Sequence, residues 1–297
     1  MTMGALSCGW NTDARGDHFS LRFNPCTRDP LAWKEELYAA ARSLANQTDK
    51  PIWLCSSGGI DSEIMCRAFF DQGIHFSVLT LQYDRGGNEH DTRYVDAWCR
   101  ERAITQKKVI VDLREIATNP SYDQYRIGRS HAIFRRVQVR LLELVEAMQG
   151  FAVLGWGEPL YRVGENVATP SIGDVYMDFE PGYSVPYEWM DAHHTSHEPY
   201  FFFSTPELCL SYIRVPIVAH MLSRPDIFRH EANAHDFKRL VYQSFWPDIE
   251  PRYKYHGLEH YIDLVHAVAD RTQTYSEYAQ RLTIPELIGQ LEGGHGD

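Results

Sequence analysis

The stretch Ile52-Trp53-Leu54-Cys55-Ser56-Ser57-Gly58-Gly59-Ile60-Asp61-Ser62 decides the fold. Its first four residues are a short apolar run behind Lys50-Pro51, the pattern of a strand buried on both faces. A helical stretch follows the glycines, with Ile64, Met65, Ala68 and Phe69 on one side and Gly73 as its stop. Strand, glycine turn and helix in that order bring successive backbone N–H groups to a helix N-terminus, where they and the helix dipole cradle an anion. The glycines let the backbone approach a phosphate, and Ser57 and Ser62 add hydroxyl donors. A carboxylate beside phosphate needs a divalent cation between them, which makes Asp61 the expected magnesium ligand. No lysine follows the glycines, so this is neither a Walker loop nor a GxGxxG turn. The bland alternative is a glycine turn with Asp61 as a helix cap.

The same order repeats on both sides. Asp29-Pro30, followed by Leu31, Trp33, Leu37, Ala40, Ala41 and Leu44, predicts a preceding helix with Asp29 as its cap and Pro30 at its first position. Downstream, the pattern predicts a strand over 76–83, a helix over 91–103, a strand over 108–113, a long helix over 131–148 and a fourth strand over 151–154. Strands and helices that alternate this way argue for an α/β fold with a doubly wound parallel sheet over 30–165. Such sheets bind ligands at the carboxyl ends of their strands. Residues 1–29 then form an N-terminal extension. Gly, Pro and aromatic residues dominate from 166 to 203, which reads as long loops; helices return near 206–213, 234–246, 258–269 and 285, giving a mostly helical C-terminal part.

Composition narrows the class. The 297 residues are 44% hydrophobic and 23% charged, which excludes disordered and fibrous chains. A formal net charge of −11 disfavours nucleic acid and anionic membrane surfaces as partners. Six cysteines without a CxxC pair read as reduced thiols, with Cys55 and Cys66 as small buried hydrophobes. No apolar stretch has the length of a signal or a membrane span, so the expected location is the cytoplasm.

Ser57 to Ser62 resembles the SGGxDS signature of the PP-loop (N-type) ATP pyrophosphatases, in full. Within that superfamily the chain looks most like the synthetase domain of asparagine synthetase and β-lactam synthetase. Leu154-Gly155-Trp156-Gly157-Glu158-Pro159-Leu160-Tyr161 is similar to the family's GEGxDELF turn, but Trp156 stands where the family has Glu. Phe237-Lys238-Arg239-Leu240, running on to Pro251-Arg252-Tyr253-Lys254-Tyr255-His256-Gly257, is similar to the family's late helix and R-x-K-x-G loop. The resemblance spans about 30–265; only its first motif is specific alone.

The resemblance implies ATP and Mg²⁺ as cofactors. Ser57, Gly58, Gly59, Ile60, Asp61 and Ser62 would bind the phosphates and the metal, Leu81 would lie against adenine, and Gly155 would line the nucleotide pocket. Lys254 matches the family lysine that stabilises developing charge and is the catalytic candidate with Asp61. The departure at Trp156 either moves the glutamate's part to Glu158 or removes that step. Lys238 reads as a helix-surface residue.

Other clusters have plainer readings. His193 and His197 are four apart but lie in a Pro- and aromatic-rich stretch without HExxH, so a metal site is a minor reading. Arg126, Arg129, Arg135, Arg136 and Arg140 read mainly as a solvated helix face, with Arg129 the one most suited to meet a phosphate. The stretch 85–90 is either a turn or a loop that closes over ATP. Thr2 follows Met1 and no glutaminase domain fits before residue 30, so the nitrogen donor would be ammonia, a substrate amine or an ammonia-supplying partner protein.

The expectation is a stand-alone synthetase that adenylates a carboxylate or carbonyl oxygen of a small-molecule acceptor, releases pyrophosphate, and lets an amine or ammonia displace AMP. An oligomer is compatible with this. The rivals are a nucleobase- or RNA-modifying enzyme of the same superfamily and a non-catalytic nucleotide-binding protein.

Overall fold

The computed structural model describes residues 2–3, 5–13, 16–125, 133–157, 161–163, 169–179, 181–226, 231–252 and 280–293. The chain opens with strands β1 (Thr2–Met3), β2 (Leu6–Asp13) and β3 (Gly16–Phe23), joined as an antiparallel sheet with Leu6 opposite Phe23. Leu6, Leu21 and Phe23 are buried, so the N-terminal segment is part of the core. Helix α1 (Trp33–Asn46) starts later than Asp29-Pro30 predicts, and its cap is Ala32, with no side-chain hydrogen bond. The reason is Glu36, whose buried carboxylate accepts from Leu31 N at 2.6 Å and from both terminal nitrogens of Arg28 at 2.5 and 2.6 Å. Its side chain ties Arg28 and Leu31 to the first turn of the helix.

The central sheet is parallel, with β4 (Ile52–Cys55) and β5 (Ser77–Tyr83) beside β6 (Gln106–Val111) and β7 (Phe151–Leu154) in the order β6-β5-β4-β7. The sheet's first strand in chain order thus lies between its second and its last, so the winding reverses between β4 and β7 and leaves a crevice at their carboxyl ends. The expected doubly wound α/β fold is correct. Helices α2 (Ile60–Asp71) and α3 (Glu89–Glu101) make the crossovers on one side of this reversal; α5 (Ile133–Ala147) makes the crossover on the other, after the short α4 (Leu113–Thr118).

The third strand begins two residues earlier than expected and ends at Val111. Asp112 caps α4, its side chain accepting from Arg114 N at 2.7 Å. Because β6 is an edge strand, Lys107, Lys108 and Ile110 can be exposed, and its first two residues, Gln106 and Lys107, fall outside the apolar run that announces the rest.

Residues 166–203 are not simply loops. Strand β9 (Val175–Phe179) pairs with β8 (Arg162–Val163) and with β10 (Gln280–Thr283), and α6 (Val185–Ala192) follows it. Val175, Met177 and Phe179 are buried while Tyr176 and Asp178 are partly exposed, a period of two obscured by the surrounding Gly and Pro. Helices α7 (Pro206–Ile213), α8 (Pro216–Leu222) and α9 (Glu231–Phe245) follow, and a helix over Ile284–Leu291 ends the described chain. Among the described residues, no helix is long and apolar enough to cross a membrane.

Candidate active site

Strand β4 delivers the loop to the carboxyl edge of the sheet. Pairing continues one residue past the strand, where Ser56 N donates to Leu79 O at 3.0 Å, and the chain then turns. The turn is held by serines. Ser56 Oγ donates to Ser62 Oγ at 3.1 Å and accepts from Gly58 N at 3.3 Å; Gly59 N donates to Ser57 Oγ at 3.2 Å; Ser62 Oγ donates to Gly59 O at 2.9 Å. Ser62, expected to face phosphate, is therefore buried and braces the turn from inside, while Ser57 is exposed at its tip. Gly58 has φ of +90°, and a Cβ there would lie 2.0 Å from Asp91 O of α3, so only glycine fits. Ile60, at the first position of α2, is half-buried.

Asp61 does not cap the helix. Its Oδ2 accepts from Lys238 Nζ at 2.8 Å and its Oδ1 from Tyr242 OH at 2.6 Å. Lys238 is only 2% exposed, which overturns its reading as a surface residue. It and Tyr242 are four apart on α9 and so share one helix face, and Tyr242 stacks on Trp33 at 5.5 Å between ring centroids. The sequence signal was only a Lys and a Tyr at helical spacing; nothing in it relates them to Asp61.

The rest of α2 is tied to the same late segment. Arg67 donates to Asp248 through both terminal nitrogens, at 2.8 and 2.9 Å, and its Nε donates to Glu63 at 2.8 Å. Arg67 holds the Asp248 carboxyl below the usual carboxylate range by hydrogen bonding. Trp246 Nε1 donates to Asp71 at 3.1 Å, and Arg252 reaches Glu63 and the carbonyl of Gly58. All four charged side chains of α2 thus face residues 238–252. Sequence reading missed Ser56, Glu63, Arg67 and Tyr242.

The other candidates are placed as follows. Gly155, just after β7, packs on the start of α2: a Cβ would lie 2.8 Å from Ser62 Cα. Leu81 is buried in β5, its carbonyl accepting from Asn88 Nδ2 at 2.9 Å. Trp156 is half-buried, edge-on to Phe134 at 6.1 Å, and the Arg135 guanidinium lies 5.6 Å from its ring. Arg135 and Arg136 are buried rather than solvated: Arg135 lies 4.5 Å over Tyr183, and Arg136 donates to Asn119 O at 2.8 Å. Arg140 is partly exposed and pairs with Glu143. In the stretch 85–90, Asn88 receives Tyr83 N at 2.8 Å and α3 begins at Glu89, a turn held by its own side chain. Arg126, Arg129, Glu158 and Lys254 lie outside the described residues.

His193 and His197 are used structurally. His197 is 1% exposed; its Nδ1 accepts from Ala152 N at 3.1 Å and its Nε2 faces Thr195 Oγ1 and Glu146. Burial pushes its pKa down to about 4, so the ring is neutral. His193 stacks on Trp189. Glu198 extends the sheet beside β7, donating N to Ala152 O and accepting Leu154 N at O, and burial pushes its carboxyl up to about 7. Among the described residues no three His, Cys, Asp or Glu side chains gather for a metal. A magnesium ion here would have Asp61 as its carboxylate and would draw its remaining ligands from nucleotide phosphates and water, the donor set that small, reluctantly dehydrated cation accepts.

No family model matches the chain, and no curated protein matches it. Among solved structures it is similar to an NMN synthetase from Francisella tularensis, at 13% identity and a TM-score of 0.33 over 81% of this chain and 93% of that one. It is also similar to an NH3-dependent NAD synthetase from Campylobacter jejuni, at 10% identity and a TM-score of 0.31 over 82% and 95% of the two chains. Likenesses this distant leave the function to be read from the site itself.

Proposed function

We propose that the protein is an ATP-dependent, AMP-forming synthetase. A substrate carboxylate or carbonyl oxygen attacks the α-phosphorus, the bond to the β-phosphate oxygen breaks, and pyrophosphate leaves into the loop; an amine or ammonia then attacks the activated carbon and AMP departs. The observation that carries this reading is the serine-braced glycine turn at the carboxyl end of β4, with Asp61 and the buried Lys238 ammonium gathered at its base. Backbone N–H groups at a helix start, one ammonium and one carboxylate able to hold Mg²⁺ suit a leaving polyphosphate. Magnesium, when bound, neutralises that leaving charge.

In this reading Ser57, Gly58, Gly59 and Ile60 present the cradle, while Ser62 and Gly155 keep it in place. Leu81 is a wall for adenine. Arg129 meets phosphate, Lys254 stabilises the charge that develops as the new bond forms, and Glu158 takes the part of the glutamate that Trp156 replaces. The acceptor is a small molecule.

The test is release of pyrophosphate and AMP from Mg-ATP across pools of carboxylates, amines and ammonium, with Asp61→Asn as control. Acceptor-dependent pyrophosphate that vanishes in the variant supports the assignment. Undiminished release from Asp61→Asn, or none from the wild type with any pool, overturns it.

A further inference from the structure

Arg252 spans three elements with one guanidinium. Its Nε donates to the carbonyl of Gly58 at 3.1 Å, a terminal nitrogen pairs with Glu63 of α2, and its plane lies 3.6 Å over the Tyr94 ring of α3. A planar fork is required for this, since a single ammonium cannot donate in these directions while stacking on an aromatic face. Glu63 is in turn held by Arg67, which is clamped on Asp248, so the Glu63 carboxylate is fixed from both sides.

The contact with Gly58 has a consequence at the loop. In a trans peptide the carbonyl of one residue and the N–H of the next point in opposite directions. Holding the Gly58 oxygen toward Arg252 therefore turns Gly59 N–H the other way, toward Ser57 Oγ at the exposed tip. Gly58 sits at φ +90°, where a glycine peptide can rotate at little cost, and a rotated peptide would present a carbonyl oxygen to an incoming anion in place of a donor.

We propose that Arg252 is a positioning residue that fixes the Gly58–Gly59 peptide with its N–H toward the anion cradle and so makes the loop selective for polyphosphate. The proposal deepens the synthetase reading and rests on it for the identity of the anion.

The decisive variant is Arg252→Lys, which keeps a cation for Glu63 and Tyr94 but loses the fork; Arg252→Gln removes the charge as well. Two quantities are measured for each: the amide resonance of Gly59 by 15N NMR without ligand, and the calorimetric affinity for pyrophosphate and for adenosine. The expected result is a displaced Gly59 resonance and roughly tenfold weaker pyrophosphate binding, as for one lost charge-assisted hydrogen bond, with adenosine affinity unchanged. An unmoved Gly59 resonance in Arg252→Lys, or equal losses for adenosine and pyrophosphate, overturns the proposal. Should the wild type bind no pyrophosphate, the synthetase reading and the selectivity claim fall together, while the Gly59 resonance still decides whether Arg252 sets the peptide.

Discussion

Lys238 Nζ lies 2.8 Å from Asp61 Oδ2, although 177 residues separate them in the chain. The ammonium is buried and the carboxylate about a fifth exposed, so the pair offsets part of each charge's cost of leaving water, with Tyr242 OH as a second donor to Asp61. Replacing Lys238 with Met should lower stability by about 2 kcal/mol, less than for a fully buried pair because Asp61 retains some solvent. Pyrophosphate release should fall at least about tenfold, since the charge facing the loop is lost. Denaturant unfolding and turnover measured together check this, and a variant equally stable and equally active would put Lys238 outside the site.

Gly155→Ala should be destabilising by on the order of 2 kcal/mol, because the added methyl meets backbone, Ser62 Cα at 2.8 Å, rather than a side chain that can swing away. The start of α2 must shift to admit it. A denaturation midpoint equal to that of the wild type would mean that β7 and α2 are farther apart than this.

Neighbouring residues His197 and Glu198 should make opposing contributions to acid stability. Burial lowers the His197 pKa from 6.5 to about 4, so its contribution is present above pH 6.5 and is lost as pH falls toward 4. Burial raises the Glu198 pKa from 4.5 to about 7, so its contribution is present below pH 4.5 and is lost as pH rises through 7. Between pH 4.5 and 6.5 the two slopes offset. Glu198→Gln should therefore lose stability on acidification from pH 7 to 5 more steeply than the wild type, and His197→Asn should gain it. Thermal melts at half-unit pH steps decide the matter; parallel curves for all three proteins would contradict it.

Lys254→Ala should slow turnover by on the order of 3 kcal/mol of barrier, the worth of a single oxyanion donor. An unchanged kcat would take Lys254 out of the catalytic reading.

The sheet was legible because buried parallel strands are apolar throughout: 52–55 and 151–154 need no partner to be recognised. At β6 the strand was legible but its bounds were not, since Lys107, Lys108 and Ile110 face solvent at an edge and blur where the strand starts and stops. In the site, Ser57 to Ser62 announces itself because its chemistry is local. Lys238, Tyr242 and Arg252 do not, because helical periodicity tells which residues share a face but not which distant carboxylate that face meets. Arg135 and Arg136 were misread for a related reason: Arg135 lies among Tyr183, Tyr200 and Trp156, and Arg136 lies over Tyr122 and donates to Asn119 O, neighbours that helical periodicity does not reveal.

The dependence of α2 on residues 238–252 also dictates an order of events during synthesis. Asp61 emerges from the ribosome 177 residues before Lys238, which at about 5–20 residues per second is a wait of roughly 9–35 s. During that interval the glycine turn and its acidic helix exist without the cations that complete them. A nascent chain stalled before residue 238 should thus hold the serine-braced turn without the ammonium and guanidinium that reach it from 238–252, and the site is completed only once those residues have been made.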